Sequence, residues 1–76
     1  MEKAQVLLTV EPMMERKIIE RLREYPRAHE AHFIYGPYDI YIIIQANSTE
    51  EIRRMVLDEI RNMPGVRSTM TCFLAE

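Results

Sequence analysis

An α+β domain with the element order β-α-β-β-α-β is the fold class this sequence predicts, and three observations predict it. Two apolar helical stripes each end at a proline, in Tyr25-Pro26 and Met63-Pro64, at an offset of 38 residues. At the same offset Ile18 matches Val56, Leu22 matches Ile60 and Ala28 matches Val66. Between the halves, Tyr35-Gly36-Pro37-Tyr38-Asp39 interrupts two apolar stretches with a glycine and a proline, the punctuation of a hairpin loop. Two β-α-β halves joined by a hairpin make the ferredoxin-like order, a four-stranded antiparallel sheet with both helices on one face.

Gln5 to Val10 reads as the first strand. Glu11-Pro12 then opens a helix, because proline is pre-set for the first helical position, and Ile18, Ile19, Leu22 and Tyr25 fall on one face of it. Pro26 ends that helix, Ala31 to Tyr35 is β-like, the hairpin loop follows, and Ile40 to Ala46 is the third strand. Ser48 and Glu51 stand at capping-box spacing ahead of a second helix from Thr49 to about Asn62. Its apolar stripe is Ile52, Met55, Val56, Ile60 and Met63, the spacing of a face packed on a sheet. A fourth strand, Arg67 to Leu74, completes the chain.

Seventy-six residues without a Gly/Ser-rich or charge-block linker make one domain, residues 1–76. A domain of about 60 residues buries only about 60% of the surface its unfolded chain exposes, so a chain this short wants further support. One cysteine excludes an internal disulfide, and neither metal-ligand spacing nor a cofactor motif substitutes for it. Self-association is the support that remains. Ten basic and twelve acidic residues leave a net charge of −2, with the bases scattered through both helices, which argues against a nucleic-acid partner. The longest apolar run, Ile40 to Ile44, falls far short of the roughly 20 residues of a membrane span, and the amino terminus lacks a signal-peptide form. A soluble, cytoplasmic protein without membrane contact is expected.

An antiparallel sheet with helices on one face and water on the other should alternate apolar and polar residues. Here Ile40, Ile42 and Ile44 share one face of the third strand, yet Tyr41 and Ile43 make the other face apolar too. The first strand sets Val6, Leu8 and Val10 on one face and Leu7 on the other, beside Gln5 and Thr9. Helices cover only one face, so the second is expected to meet the same face of another copy in a two-fold dimer.

Candidate chemistry is sparse. Cys72, between Met70 and Leu74 in the last strand, reads as an inert core thiol. His29 and His32 are three apart near a strand, point to opposite faces and cannot chelate one metal together. The methionines, Met13, Met14, Met55 and Met63 among them, read as core filler, and the charges of both helices as solvated faces. Neither a nucleophile nor a metal cluster accompanies Asp39, so a non-enzyme is expected. The last strand differs, with Arg67, Thr69 and Thr71 on one face by strand alternation and Ser68, Met70 and Cys72 on the other. A free amino acid needs donors for its carboxylate and acceptors for its ammonium group. Arg67, Thr69, Thr71 and the amides near Gly36 can donate, and Asp39 can accept. The same residues also serve as a turn, good strand formers and an exposed rim arginine.

At Val6-Leu-Leu-Thr-Val10, Tyr35-Gly-Pro-Tyr-Asp39 and Gly65-Val-Arg-Ser-Thr69-Met-Thr71 the chain resembles the effector-binding domain of the Lrp/AsnC family, the RAM domain of the feast/famine transcription regulators. The likeness spans nearly the whole chain, and its most specific parts are the Gly-x-Tyr-Asp hairpin and the Gly-Val-Arg-Ser-Thr-x-Thr strand. The resemblance implies a dimeric α/β-barrel-like sandwich of facing sheets, assembly of dimers into octamers, and amino-acid effectors where dimers meet. Carried onto matching positions, it points to Gly36, Tyr38, Asp39 and Ile40 in the loop and Thr69 and Thr71 in the strand, with Arg67 and Ser68 beside them. Met1 to Lys3 leave no room for the family's amino-terminal helix-turn-helix, so a stand-alone module without DNA binding is expected, one that senses an amino acid or co-assembles with full-length regulators. The alternatives are a small dimeric α/β-barrel enzyme and a purely structural assembly domain.

Overall fold

The strands of the protein, seen in a computed structural model that describes residues 1–75, form one four-stranded antiparallel sheet in the order β2-β3-β1-β4. The elements run β1 (Glu2–Val10), α1 (Glu15–Leu22), β2 (Ala28–Phe33), β3 (Ile40–Ala46), α2 (Thr49–Met55) and β4 (Val66–Phe73). A π-helical turn, Val56–Ile60, carries α2 onward. This is the ferredoxin-like β-α-β-β-α-β fold read from the sequence, with the two first strands of the halves side by side at the centre.

The alternation of β1 and β3 builds the core. Ala4, Val6 and Leu8 lie opposite Ile44, Ile42 and Ile40, Val10 continues the row, and each of the seven is at most 5% exposed. Ile18, Ile19 and Leu22 of α1, Ile52 and Met55 of α2, and Val56 and Ile60 of the π turn cover that face. The helical stripe of period 3.6 thus meets the strand stripe of period 2. Helical periodicity correctly located Met55 and Met63 in the core, but Met13 is 92% exposed and adds nothing to it.

Pro12 does not open the first helix. The Glu11 N–H donates to the Gly65 carbonyl at 2.7 Å, tying the exit of β1 to the entrance of β4. The chain then turns, Met14 N–H to Glu11 carbonyl at 3.1 Å with Met13 at φ +75°, and becomes helical at Glu15. A contact distant in sequence overrides the local proline signal.

The internal repeat runs deeper than its apolar positions. In β2 the pairing to β3 shifts between Ala28 and Glu30, leaving His29 as the extra residue, and in β4 the pairing to β1 passes from Ser68 to Val66, leaving Arg67 as the extra residue. His29 and Arg67 stand at the repeat offset, so each half carries its bulge at the equivalent place. A bulge reverses the facing of what precedes it. Val66 consequently packs on the core instead of sharing the outer face with Ser68.

Ser48 caps α2, its Oγ accepting the Glu51 N–H at 3.2 Å. Glu51 answers by accepting the Asn47 N–H at 2.8 Å and lies 3.0 Å from Arg27. The Arg27 guanidinium, and after it the Asn47 N–H, hold the Glu51 carboxyl below its ordinary value of 4.5. A folded value below the unfolded one contributes stability above the ordinary carboxylate range, and that contribution is lost as pH falls through the depressed value. Glu51→Gln is expected to melt below the wild type at pH 7 and to converge with it on acidification below pH 4.5. Parallel melting curves across that range would contradict this.

Candidate functional site

Because Thr69 lies opposite Leu8, Thr71 opposite Val6 and Phe73 opposite Ala4, all three point to the helix-bearing face. β4 is an edge strand, and the helical layer does not seal over it. A cavity of about 180 Å³ remains there, lined by Thr69, Thr71 and Phe73 from β4, Arg53 from α2, Val56 and Leu57 from the π turn, and Arg61 just after it. Its floor is apolar and its polar groups are two hydroxyls and two guanidinium-bearing side chains. A larger depression of about 540 Å³ lies by the chain termini, but its lining, Met1, Glu2, Lys3, Gln45, Leu74 and Ala75, includes no predicted site residue.

The remaining predicted residues are distributed otherwise. Arg67 is the unpaired bulge residue; it does not line the cavity, and its Nε lies 3.8 Å from Glu11. Ser68 is on the opposite sheet face, its hydroxyl bonded to that of Thr9. Tyr38 reaches across β1 on that same outer face, with its hydroxyl 3.5 Å from the Met70 sulfur. Ile40 is wholly buried, so its side chain belongs to the core and only its backbone can meet a ligand. Gly36 sits at the exposed tip of the loop at φ +136°, a conformation that favours glycine.

Asp39 has a structural task. β3 begins at Ile40, opposite Leu8, so it supplies no backbone acceptor for Val10. Oδ2 of Asp39 takes that place, accepting the Val10 N–H at 2.9 Å, while the Asp39 N–H donates to the Leu8 carbonyl at 2.8 Å and its carbonyl accepts the Ile34 N–H at 3.0 Å. Oδ1 has no hydrogen-bond partner among the described residues. The carboxylate is therefore half committed to the fold and half free.

Ile40 and Thr69 are partners of Leu8 on its two sides, so the loop end and the cavity end are two strand spacings apart, about 10 Å. One protomer does not bring the loop onto the threonines. Residue reasoning missed Arg53, Leu57, Arg61 and Phe73 as cavity residues. The signal was present in the four-residue spacing of Arg53, Leu57 and Arg61, which puts a leucine between two arginines on one helical edge.

The outer sheet face is apolar at its centre, with Leu7, Tyr41, Ile43 and Cys72 half-buried and Met70 46% exposed. Cys72 lies on this face rather than in the core. Titratable groups gather at the β2 edge, where His32 stacks on Tyr41 at 5.3 Å and lies 3.6 Å from Glu30. No group of three His, Cys, Asp or Glu among the described residues could hold a metal ion, and no helix among them is long and apolar enough to cross a membrane.

A family model described as the Lrp/AsnC ligand binding domain matches residues 3–76. An uncharacterized HTH-type transcriptional regulator of Pyrococcus abyssi is 31% identical over 69 residues, covering 87% of this chain and 46% of that protein. The chain thus spans about half the length of the curated relatives it matches. Among solved structures, FFRP-DM1 superposes with a TM-score of 0.95 at 27% identity, over 99% of this chain and 100% of that one. The transcriptional regulator NMB0573 of Neisseria meningitidis, solved in complex with L-Met, has the same fold, with a TM-score of 0.89 at 16% identity over 99% of this chain and 50% of that one.

Proposed function

The chain belongs to the Lrp/AsnC ligand-binding domain family, and from that premise we propose that it is a non-enzymatic cytoplasmic module that binds a free amino acid and assembles with copies of itself. In this role it acts on transcription through full-length regulators of the same family. The observation that carries the reading is the cavity into which Thr69 and Thr71 both face, open at the β4 edge and floored by apolar side chains.

Two further features support it. The outer sheet face presents Leu7, Ile43 and Met70 with few charges, a surface suited to a second copy of itself in a facing-sheet dimer. With the outer faces together, the Thr69 and Thr71 cavity and the Gly36 loop are left at the rim, where another dimer can apply its own loop. A ring of dimers, an octamer in the resemblance, completes each site from two protomers: hydroxyls from one, and loop amides with the free Asp39 oxygen from the other. Ligand binding and assembly are then linked, each strengthening the other.

A thermal-shift screen against the common amino acids, with mass measured with and without ligand, tests this. One or a few amino acids, L-Met among them, are expected to raise the melting temperature progressively with the logarithm of their concentration, the stabilisation reaching about 2.7 kcal/mol at 100 times Kd. Thr71→Val keeps the shape and removes the hydroxyl, and is expected to weaken binding about tenfold with the ligand-free melting temperature unchanged. No response from any amino acid would leave a structural assembly domain as the better reading, and turnover of a small substrate would favour an enzyme.

A further inference from the structure

The π turn shapes the cavity, and with it the choice of ligand. In an α-helix of 3.6 residues per turn, residues four apart drift around the cylinder. The Arg61 N–H donates to the Val56 carbonyl at 2.9 Å, an i→i+5 bond, and such a turn holds more residues and draws positions four apart back into line. Arg53, Leu57 and Arg61 therefore all edge the same cavity although they span more than two turns.

The two arginines are not equivalent. Arg53 is engaged by Glu50, Nη1 to Oε1 at 3.3 Å. Arg61 has no ion-pair partner among the described residues and stands exposed at the rim. Beneath it Val56, Leu57 and Phe73 offer no side-chain hydrogen-bonding group, so a charged or amide ligand side chain placed among them would be desolvated without a partner. The cavity is small, about 180 Å³, and open at the β4 edge, so an aliphatic side chain can enter it from solvent.

We propose that Arg61 is the carboxylate anchor of an aliphatic amino acid whose side chain enters the floor formed by Val56, Leu57 and Phe73. This rests on the amino-acid reading of the site given above. Arg61 is suited to the task because a guanidinium meets a carboxylate through two parallel hydrogen bonds and stays charged at every physiological pH. The Thr69 and Thr71 hydroxyls lie in the same cavity to bind the remaining polar groups.

Calorimetric titration of the full chain with leucine, isoleucine, methionine, aspartate and lysine, and with the carboxamides of the first three, tests the assignment. Aliphatic amino acids are expected to bind at least tenfold more tightly than aspartate or lysine, and at least tenfold more tightly than their own amides. In Arg61→Gln the acid-to-amide ratio should fall to about one, with the ligand-free melting temperature unchanged because Arg61 is exposed and has no ion-pair partner among the described residues. Preference for aspartate or lysine, or a ratio preserved in Arg61→Gln, would overturn this inference while leaving amino-acid sensing intact. Absence of binding by every amino acid would overturn both.

Discussion

Gly65→Val is expected to destabilise the protein by about 2 to 6 kcal/mol, the largest effect of any single substitution considered. Gly65 sits at φ +98°, where a β-branched residue is strained by about 1 to 3 kcal/mol. A Cβ there would stand 3.0 Å from Cδ1 of Ile18 and 3.2 Å from Cβ of Met14, at the base of α1 where neither can move far. Overpacking of that kind costs about 1 to 3 kcal/mol more. A domain of this length has a total stability of only about 4 to 11 kcal/mol, so the loss would remove a large fraction of it. The carbonyl of Gly65 also holds the Glu11 N–H, which couples the strain to both crossovers. Gly36→Ala is the control, since φ is +136° there but nothing lies within 4 Å of the new Cβ. Its loss should be the smaller, from backbone strain alone. Urea denaturation measures both, and a Gly65→Val midpoint close to the wild type would refute the packing argument.

Asp39→Ala is expected to lower stability by about 1 to 3 kcal/mol, because it leaves the part-buried Val10 N–H without an acceptor. Loss of ligand binding in that variant would therefore mix two effects. Asp39→Asn separates them, since its amide oxygen still accepts from Val10 while the charge is gone. The stability of Asp39→Asn should lie within about 1 kcal/mol of the wild type, and its ligand affinity should drop about tenfold or more if the free Oδ1 meets the ligand's ammonium group. Urea denaturation reads the first outcome and calorimetry the second. Unchanged stability in Asp39→Ala would mean that the Val10 bond contributes nothing, and unchanged affinity in Asp39→Asn would remove the acid from the site.

The sequence was most legible where the pattern is local. β3 falls on Ile40–Ala46 as read, because Asp39 and Asn47 bound an unbroken stretch rich in isoleucine. The second helix begins at Thr49 as read, because Ser48 and Glu51 form their cap within one turn. The first helix was misplaced at its start because the bond from Glu11 to Gly65 joins residues far apart in the chain, and no local propensity reports it. The site suffered from the same blindness. Strand alternation predicted Arg67, Thr69 and Thr71 in one row, but Arg67 is an unpaired bulge residue that pairs with Glu11 and does not line the cavity. The hydroxyls of Thr69 and Thr71 were correctly placed together, since no bulge intervenes between them.

The amino-acid order alone determined the element sequence, the internal repeat and the apolar character of both sheet faces, because each is written in periodicities of two or 3.6 residues that act over a single element. Tertiary structure decided what those elements jointly enclose. Pairing with β1 turned Thr69 and Thr71 toward the helices and Ser68 away, the π turn brought Arg53 and Arg61 to the same edge, and the end of β3 gave Asp39 the Val10 amide to hold. Such features depend on register and on where a neighbouring strand stops, and a one-residue bulge is enough to exchange one face for the other.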